Sequence, residues 1–84
     1  MSRFSIKERG LWLRAFGRAV RHFRQEAGMT QEALGLKSDL DQTYISGIER
    51  GRRNPTVWVV RRLCLALGVD STKLFEVTDQ ERLK

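Results

Sequence analysis

The chain has one cysteine, one histidine and one proline in 84 residues, and no apolar run long enough to cross a bilayer. A lone Cys64 excludes an internal disulfide and any multi-cysteine zinc site. It falls in the apolar stretch from Val57 to Leu67, where a small buried hydrophobe is expected. His22 has no nucleophile or carboxylate constellation beside it in the sequence, so acid/base catalysis lacks its parts. There is no metal-ligand cluster, glycine-rich phosphate loop or amphipathic membrane anchor, and the sequence therefore points to no enzyme activity, no cofactor, no metal and no small-molecule ligand. The basic start is interrupted by Glu8, Arg9 and Gly10 and does not read as a secretory signal. A cytoplasmic location is the expectation.

Acids are scarce as well: 10 Asp and Glu stand against 16 Lys and Arg, a formal net charge of +6 that favours a polyanionic partner. Arg3, Lys7, Arg9, Arg14, Arg18, Arg21 and Arg24 precede the centre of the chain with only Glu8 against them. Arg50, Arg52, Arg53, Arg61 and Arg62 follow it with no acid between. A solvated helix face is the plain alternative for the N-terminal cluster. At this length, with 40% apolar residues, the chain can build one compact core but not two.

What is present lies between Thr30 and Gly51, which reads as two short helices joined by a tight turn. Thr30 is an N-cap for a helix over about Gln31 to Lys37, and Asp41 is another for a helix over about Gln42 to Arg50. Leu34, Leu40, Ile45 and Ile48 supply apolar contacts, and Gly35, lacking a β-carbon, lets the two helices cross closely. Around this pair, residues 1–10 lack periodicity and are expected to form a flexible arm. After Gly10, Leu13, Phe16, Val20, Phe23 and Ala27 recur at helical spacing and stop at Gly28. Thr56 begins a further helix over Val57 to Leu67, with Val57, Val60, Leu63, Cys64 and Leu67 facing inward and Gly68 ending it. A last short helix over about Ser71 to Phe75 brings Leu74 and Phe75 to the core. The domain is thus expected to span 11–77, with a charged tail over 78–84. No strand signal appears.

Residues 16–75 resemble the Cro/CI-type, or Xre, family of helix-turn-helix transcriptional regulators. The resemblance rests on Phe16-Gly17 to Arg24, Gly28-Met29-Thr30-Gln31, the run Tyr44-Ile45-Ser46-Gly47-Ile48-Glu49-Arg50-Gly51, Asn54-Pro55-Thr56 and Leu67-Gly68-Val69, in the family's order and spacing. Within the family, Leu40 to Arg50 followed by Arg53-Asn54 looks most like the controller proteins of restriction-modification systems. The resemblance implies an all-α, five-helix, lambda-repressor-like domain with the helix-turn-helix at helices 2 and 3. It also implies binding of a palindromic operator in double-stranded DNA as a homodimer.

The family's docking mode places the third helix in the major groove. Gln42 and Thr43 then lie in its first turn, where a Gln can pair bidentately with adenine, and Ser46 and Gly47 follow one turn later. Gly47 stands where the family often carries a long polar reader. Either recognition uses fewer direct base contacts or the backbone approaches the DNA more closely. Tyr44 has two readings, filling the core edge or reaching a phosphate and an adjacent base step. Gln31, at a helix N-terminus, resembles a family glutamine that binds a backbone phosphate, with a plain first-turn residue as the alternative. Arg50, Arg52, Arg53 and Asn54 are expected at the phosphates, Arg53 and Asn54 reaching towards bases in controller-like relatives. Arg24 and Glu49 match an internal ion pair of the family.

Trp58 and Leu65 lie seven residues apart on one stripe of the fourth helix, where polar residues would stand if that face met water. This predicts a covered surface, a dimer interface joined by Leu74, Val77 or Trp12; the intramolecular alternative folds Phe4 and Ile6 over Trp58. A rival function is that of an antitoxin-type interaction module that holds a toxin and autoregulates its operon.

Overall fold

A computed structural model describes residues 2–84 as five helices, with no strand among the described residues. Ser5 opens the first helix, α1 (Ile6–Glu26), its hydroxyl accepting from the Glu8 amide. Residues 6–10, expected in a flexible arm, are therefore helical. Gly10 does not interrupt the helix, because a single glycine costs only about 1 kcal/mol of propensity in a long, otherwise well-formed helix. Gly28, in the left-handed region at φ 71°, turns the chain out of α1.

Thr30 caps α2 (Gln31–Ser38) through the Ala33 amide, and Asp41 caps α3 (Gln42–Glu49) through the Thr43 amide. The turn between them, Asp39-Leu40-Asp41, puts Asp39 at φ 58°, the one non-glycine residue in the left-handed region among those described. Arg62 braces this turn from the next helix, donating to the carbonyls of Ser38 and Asp39. A β-carbon at Gly35 would lie 2.6 Å from the Leu40 carbonyl oxygen, so the corner closes only around glycine. Gly17 is tighter still. A β-carbon there would lie 2.3 Å from the Ile48 carbonyl oxygen, so α1 and α3 touch backbone to backbone.

Thr56 opens α4 (Val57–Leu67), which ends at Gly68, and Asp70 opens α5 (Ser71–Arg82). Val20, Leu34, Ile45, Ile48, Leu63 and Leu74 are fully buried where these helices meet, with Cys64 beside them. Burial pushes the Cys64 thiol up, away from the reactive thiolate.

Two expectations for α4 and α5 are corrected. Val57 is 88% exposed, because it begins α4 at the edge of the core beside an open groove. The last helix does not stop at Phe75 but runs through most of the expected tail to Arg82. Its second half is held tertiarily: Thr78 is buried, its hydroxyl satisfied within the helix by the Leu74 carbonyl, and the helix end is clamped to α1 by Arg18–Glu81 at 2.9 Å and Arg82–Glu8 at 2.5 Å.

Candidate nucleic-acid interface

The capped start of α3 stands clear of the core. Gln42 and Thr43 are exposed, Ser46 and Gly47 are half-buried on the same side, and Ile45 and Ile48 point inward. The period of 3.6 separates these sets, so the apolar residues that anchor α3 also fix which polar residues it presents. Past Gly51, at φ 74°, the chain doubles back and returns Arg52 and Arg53 beside α3, while Asn54, expected with them, lines an apolar groove with Pro55 and Val57 instead. A β-carbon at Gly51 would collide with Arg14 of α1, so this return is tight on both counts.

A notch of about 310 Å³ results, lined by Thr43, Ser46, Gly47, Arg50, Arg52 and Arg53. Its walls carry three guanidinium groups and two hydroxyls, a donor-rich, cationic surface suited to phosphate oxygens and base edges. Arg50 donates to the Ser46 hydroxyl at 3.0 Å, along the helix. Arg53 crosses the other way, with its guanidinium carbon 5.6 Å from the centre of the Tyr44 ring. Tyr44 fills the core edge, half-buried, and offers its ring face to Arg53.

Behind the notch, α3 is tied down at its far end. Glu49 accepts from Arg24 Nε at 2.6 Å and Nη2 at 3.0 Å, a buried bidentate pair. Arg24 directs a further donor at the Met29 carbonyl at 2.8 Å. The hydrogen bond to Glu49 holds the Arg24 guanidinium above its ordinary value. Gln31 joins this cluster through Nε2, which donates to Glu49 at 3.0 Å. An amide nitrogen carries two hydrogens, so one remains for a ligand at the start of α2.

The sequence-derived residues therefore divide. Gln42, Thr43, Ser46, Gly47, Arg50, Arg52 and Arg53 share one surface, with Tyr44 at its edge and Asn54 leading away into the loop. Arg24 and Glu49 lie inside. Of the N-terminal arginines, Arg18 is committed to Glu81 and Arg24 to Glu49, so those two are not part of a free basic face. Sequence reasoning missed the seating of Arg53 across Gly47, the Gln31–Glu49 bond and the brace from Arg62. Each joins residues far apart in periodicity, and only the i, i+3 and i, i+4 relations leave a trace in a sequence.

On the other side, Trp58 and Leu65 are exposed at 64% and 60%. Leu74, expected to join them in an interface, is fully buried instead. It faces the core from the first turn of α5 and cannot touch a second molecule. Val77 is half-buried against the core. An apolar groove of about 390 Å³ opens beside this face, lined by Trp12, Leu13, Phe16, Pro55, Val57 and Phe75 among others.

Comparison with known proteins shows the family. Residues 15–76 match the model of a family described as a helix-turn-helix domain. The chain is 47% identical over 57 residues to an uncharacterized HTH-type transcriptional regulator, y4dJ, of Sinorhizobium fredii, covering 68% of this chain and 74% of the relative. It is 42% identical over 64 residues to the control protein C.BamHI of Bacillus amyloliquefaciens, covering 75% and 79%. Among solved structures, the restriction-modification controller protein C.Esp1396I, a tetramer in complex with its natural 35 base-pair operator, superposes with a TM-score of 0.79 at 42% identity, covering 87% of this chain and 96% of that one. With its five helices, its Gly35 corner and the exposed start of α3, the chain belongs to the Cro/CI-type helix-turn-helix family of transcriptional regulators and has restriction-modification controller proteins among its relatives.

Proposed function

We propose that this protein binds a palindromic operator as a homodimer and regulates transcription from it, as the controller of a restriction-modification system. The observation that carries the reading is the notch on α3, where hydroxyls and three guanidinium groups surround a helix face that the fold leaves uncovered. With α3 in the major groove, Gln42 and Thr43 face base edges and Ser46 follows one turn behind. Arg50, Arg52 and Asn54 hold phosphates, Arg53 serves phosphate or base, and Gln31 uses its remaining amide hydrogen on a phosphate at the start of α2. The protein works in the cytoplasm and carries no catalytic chemistry.

A palindrome needs two reading helices about 34–36 Å apart. The Trp58 and Leu65 face supplies the contact between copies, with Val57 and Phe75, exposed at its edge, in place of the buried Leu74. As a controller, the protein would bind upstream of its own gene and of an endonuclease gene. Selection of bound sequences from a random duplex pool at physiological salt, followed by sizing of the complex, tests this reading. An enriched inverted repeat with half-sites about one helical turn apart, bound by two or more copies, is the expected result. Binding without an enriched sequence would refute operator recognition.

A further inference from the structure

Gly47 sits inside an α-helix in ordinary right-handed conformation, where glycine is about the least favourable residue short of proline. No positive φ requires it. The space its missing side chain leaves is taken by a residue from outside the helix. The three heavy atoms nearest to a β-carbon at position 47 all belong to Arg53: Cγ at 2.8 Å, Nε at 3.2 Å and Cδ at 3.6 Å. Beyond Gly47 the guanidinium comes to rest over the Tyr44 ring, one helical turn away on the same face. Gly47 thus makes room for the stem of Arg53, and Tyr44 receives its head.

We propose that Gly47 and Tyr44 form a seat that fixes Arg53, a loop residue, in the reader position that Gly47 leaves vacant on α3. Arg53 and residue 47 are then one unit, in which only one of them can carry a side chain. The proposal rests on the operator-binding reading. A free arginine on a loop has many rotamers, and holding it across the helix before DNA arrives lowers the ordering cost at binding. So placed, the guanidinium is preset for bidentate pairing with the O6 and N7 acceptors of a guanine. Gly47 and Tyr44 are positioning residues here. The departure at position 47 is thereby neither a missing reader nor a closer approach of backbone to DNA, but a reader supplied from the loop.

The approach at 2.8 Å is to the side-chain stem of Arg53, so a methyl group at position 47 displaces Arg53 and leaves the helix backbone where it is. Gly47→Ala therefore separates seat from fold. Its melting temperature should equal or exceed that of the wild type, because Ala is the better helix former. Affinity for random duplex should fall less than affinity for the selected operator, because non-specific binding rests on the summed positive charge, which the substitution leaves in place. Affinity for the selected operator should fall about tenfold, and discrimination at one guanine per half-site should relax. In an Arg53→Ala background, Gly47→Ala should then have no further effect. Nuclear Overhauser contacts between the Gly47 Hα and Arg53 Hγ protons in the free protein provide a readout independent of DNA.

Three results would overturn the seat: operator binding by Gly47→Ala equal to the wild type, a penalty that persists in the Arg53→Ala background and so reports a methyl clash with DNA, or absent Gly47–Arg53 contacts in the free wild type. If the wild type itself prefers no sequence, operator recognition fails first, which is a different outcome from a specific wild type with an indifferent Gly47→Ala.

Discussion

The two ends of the Glu49–Arg53 segment are built on opposite principles. Glu49 is buried in a bidentate bond to Arg24 and a third bond to Gln31, one residue after Ile48 makes backbone contact with Gly17. Four residues on, Arg53 is exposed, held by a glycine's empty space and a ring face. One end holds α3 at a fixed height and angle over the core, and the other presents donors to whatever lies outside. A helix that reads DNA needs both, because base pairing by side chains fails when the helix shifts by an ångström or so. Changes at the buried end should alter stability first and binding as a consequence, whereas changes at the exposed end should alter binding alone.

The largest effect is expected from Glu49→Ala, which leaves Arg24 as an unpaired buried charge and should cost about 3–5 kcal/mol. For a domain of this size that lowers the melting temperature by at least about 12 °C in calorimetry. An unchanged melting temperature would remove the buried clamp from the account. Gly17→Ala comes next: with carbonyl oxygens at 2.3 Å and 2.5 Å from the new methyl, α1 and α3 must separate. Overpacking of this kind costs about 1–3 kcal/mol, measurable by denaturant titration, and here the normally favourable Gly-to-Ala exchange reverses sign.

Arg50→Ala and Arg52→Ala probe the exposed end. Each should leave stability within about 0.5 kcal/mol and reduce the logarithmic salt slope of DNA binding by about 0.9 per copy for each phosphate that is no longer neutralised. Equal slopes for variant and wild type would take that arginine away from the backbone.

The smallest effect lies away from α3. Glu8 is held below the ordinary carboxylate range by its hydrogen bond to Arg82, and Glu81 by its bonds to Lys84 and Arg18. A carboxylate lowered in the folded state contributes stability that is complete above its unfolded value and is lost as pH falls through the folded one. The junction of α1 and α5 should therefore loosen modestly in acid, and Glu8→Gln with Glu81→Gln should flatten the acid limb of a pH–stability curve. Both pairs are partly solvated, which keeps the effect small.

The legible parts of the fold are those governed by local rules. Thr30, Asp41 and Thr56 cap the helices that follow them, Gly28 and Gly68 stop α1 and α4, and α4 spans Val57–Leu67 as its pattern implies. One local signal outweighs Gly10 as a boundary: Ser5-Ile6-Lys7-Glu8 has the spacing of a capping box and marks the true start of α1. Glu8 uses its carboxylate on Arg82 rather than on the cap, so even this box serves a tertiary contact. The length of α5 had no such signal. Its second half is polar, and Arg18, 63 residues from Glu81, helps to hold it.

At the candidate site, the separation of Gln42 and Thr43 from the buried Ile45 and Ile48 was legible from helical period, whereas a DNA-reading role for that face was implied by the family resemblance alone. The position of Arg53 was not legible, because a turn at Gly51 brings it back across Gly47 at no regular spacing. Leu74 was read both as core and as part of an interface, because a leucine in a short helix gives no indication of which side is covered, and only the core reading holds. The length of α5 and its packing on α1 decide that it is core.

The division between a fixed end and a reading end is tested most directly by Gln42→Ala, the exposed first residue of α3. Affinity for the selected operator and for random duplex, and the melting temperature, should be measured on the same preparation. Operator affinity should fall by about 1–3 kcal/mol while random-duplex affinity and melting temperature stay at wild-type values. Operator and random-duplex affinity falling together, or no change in either, would contradict that division.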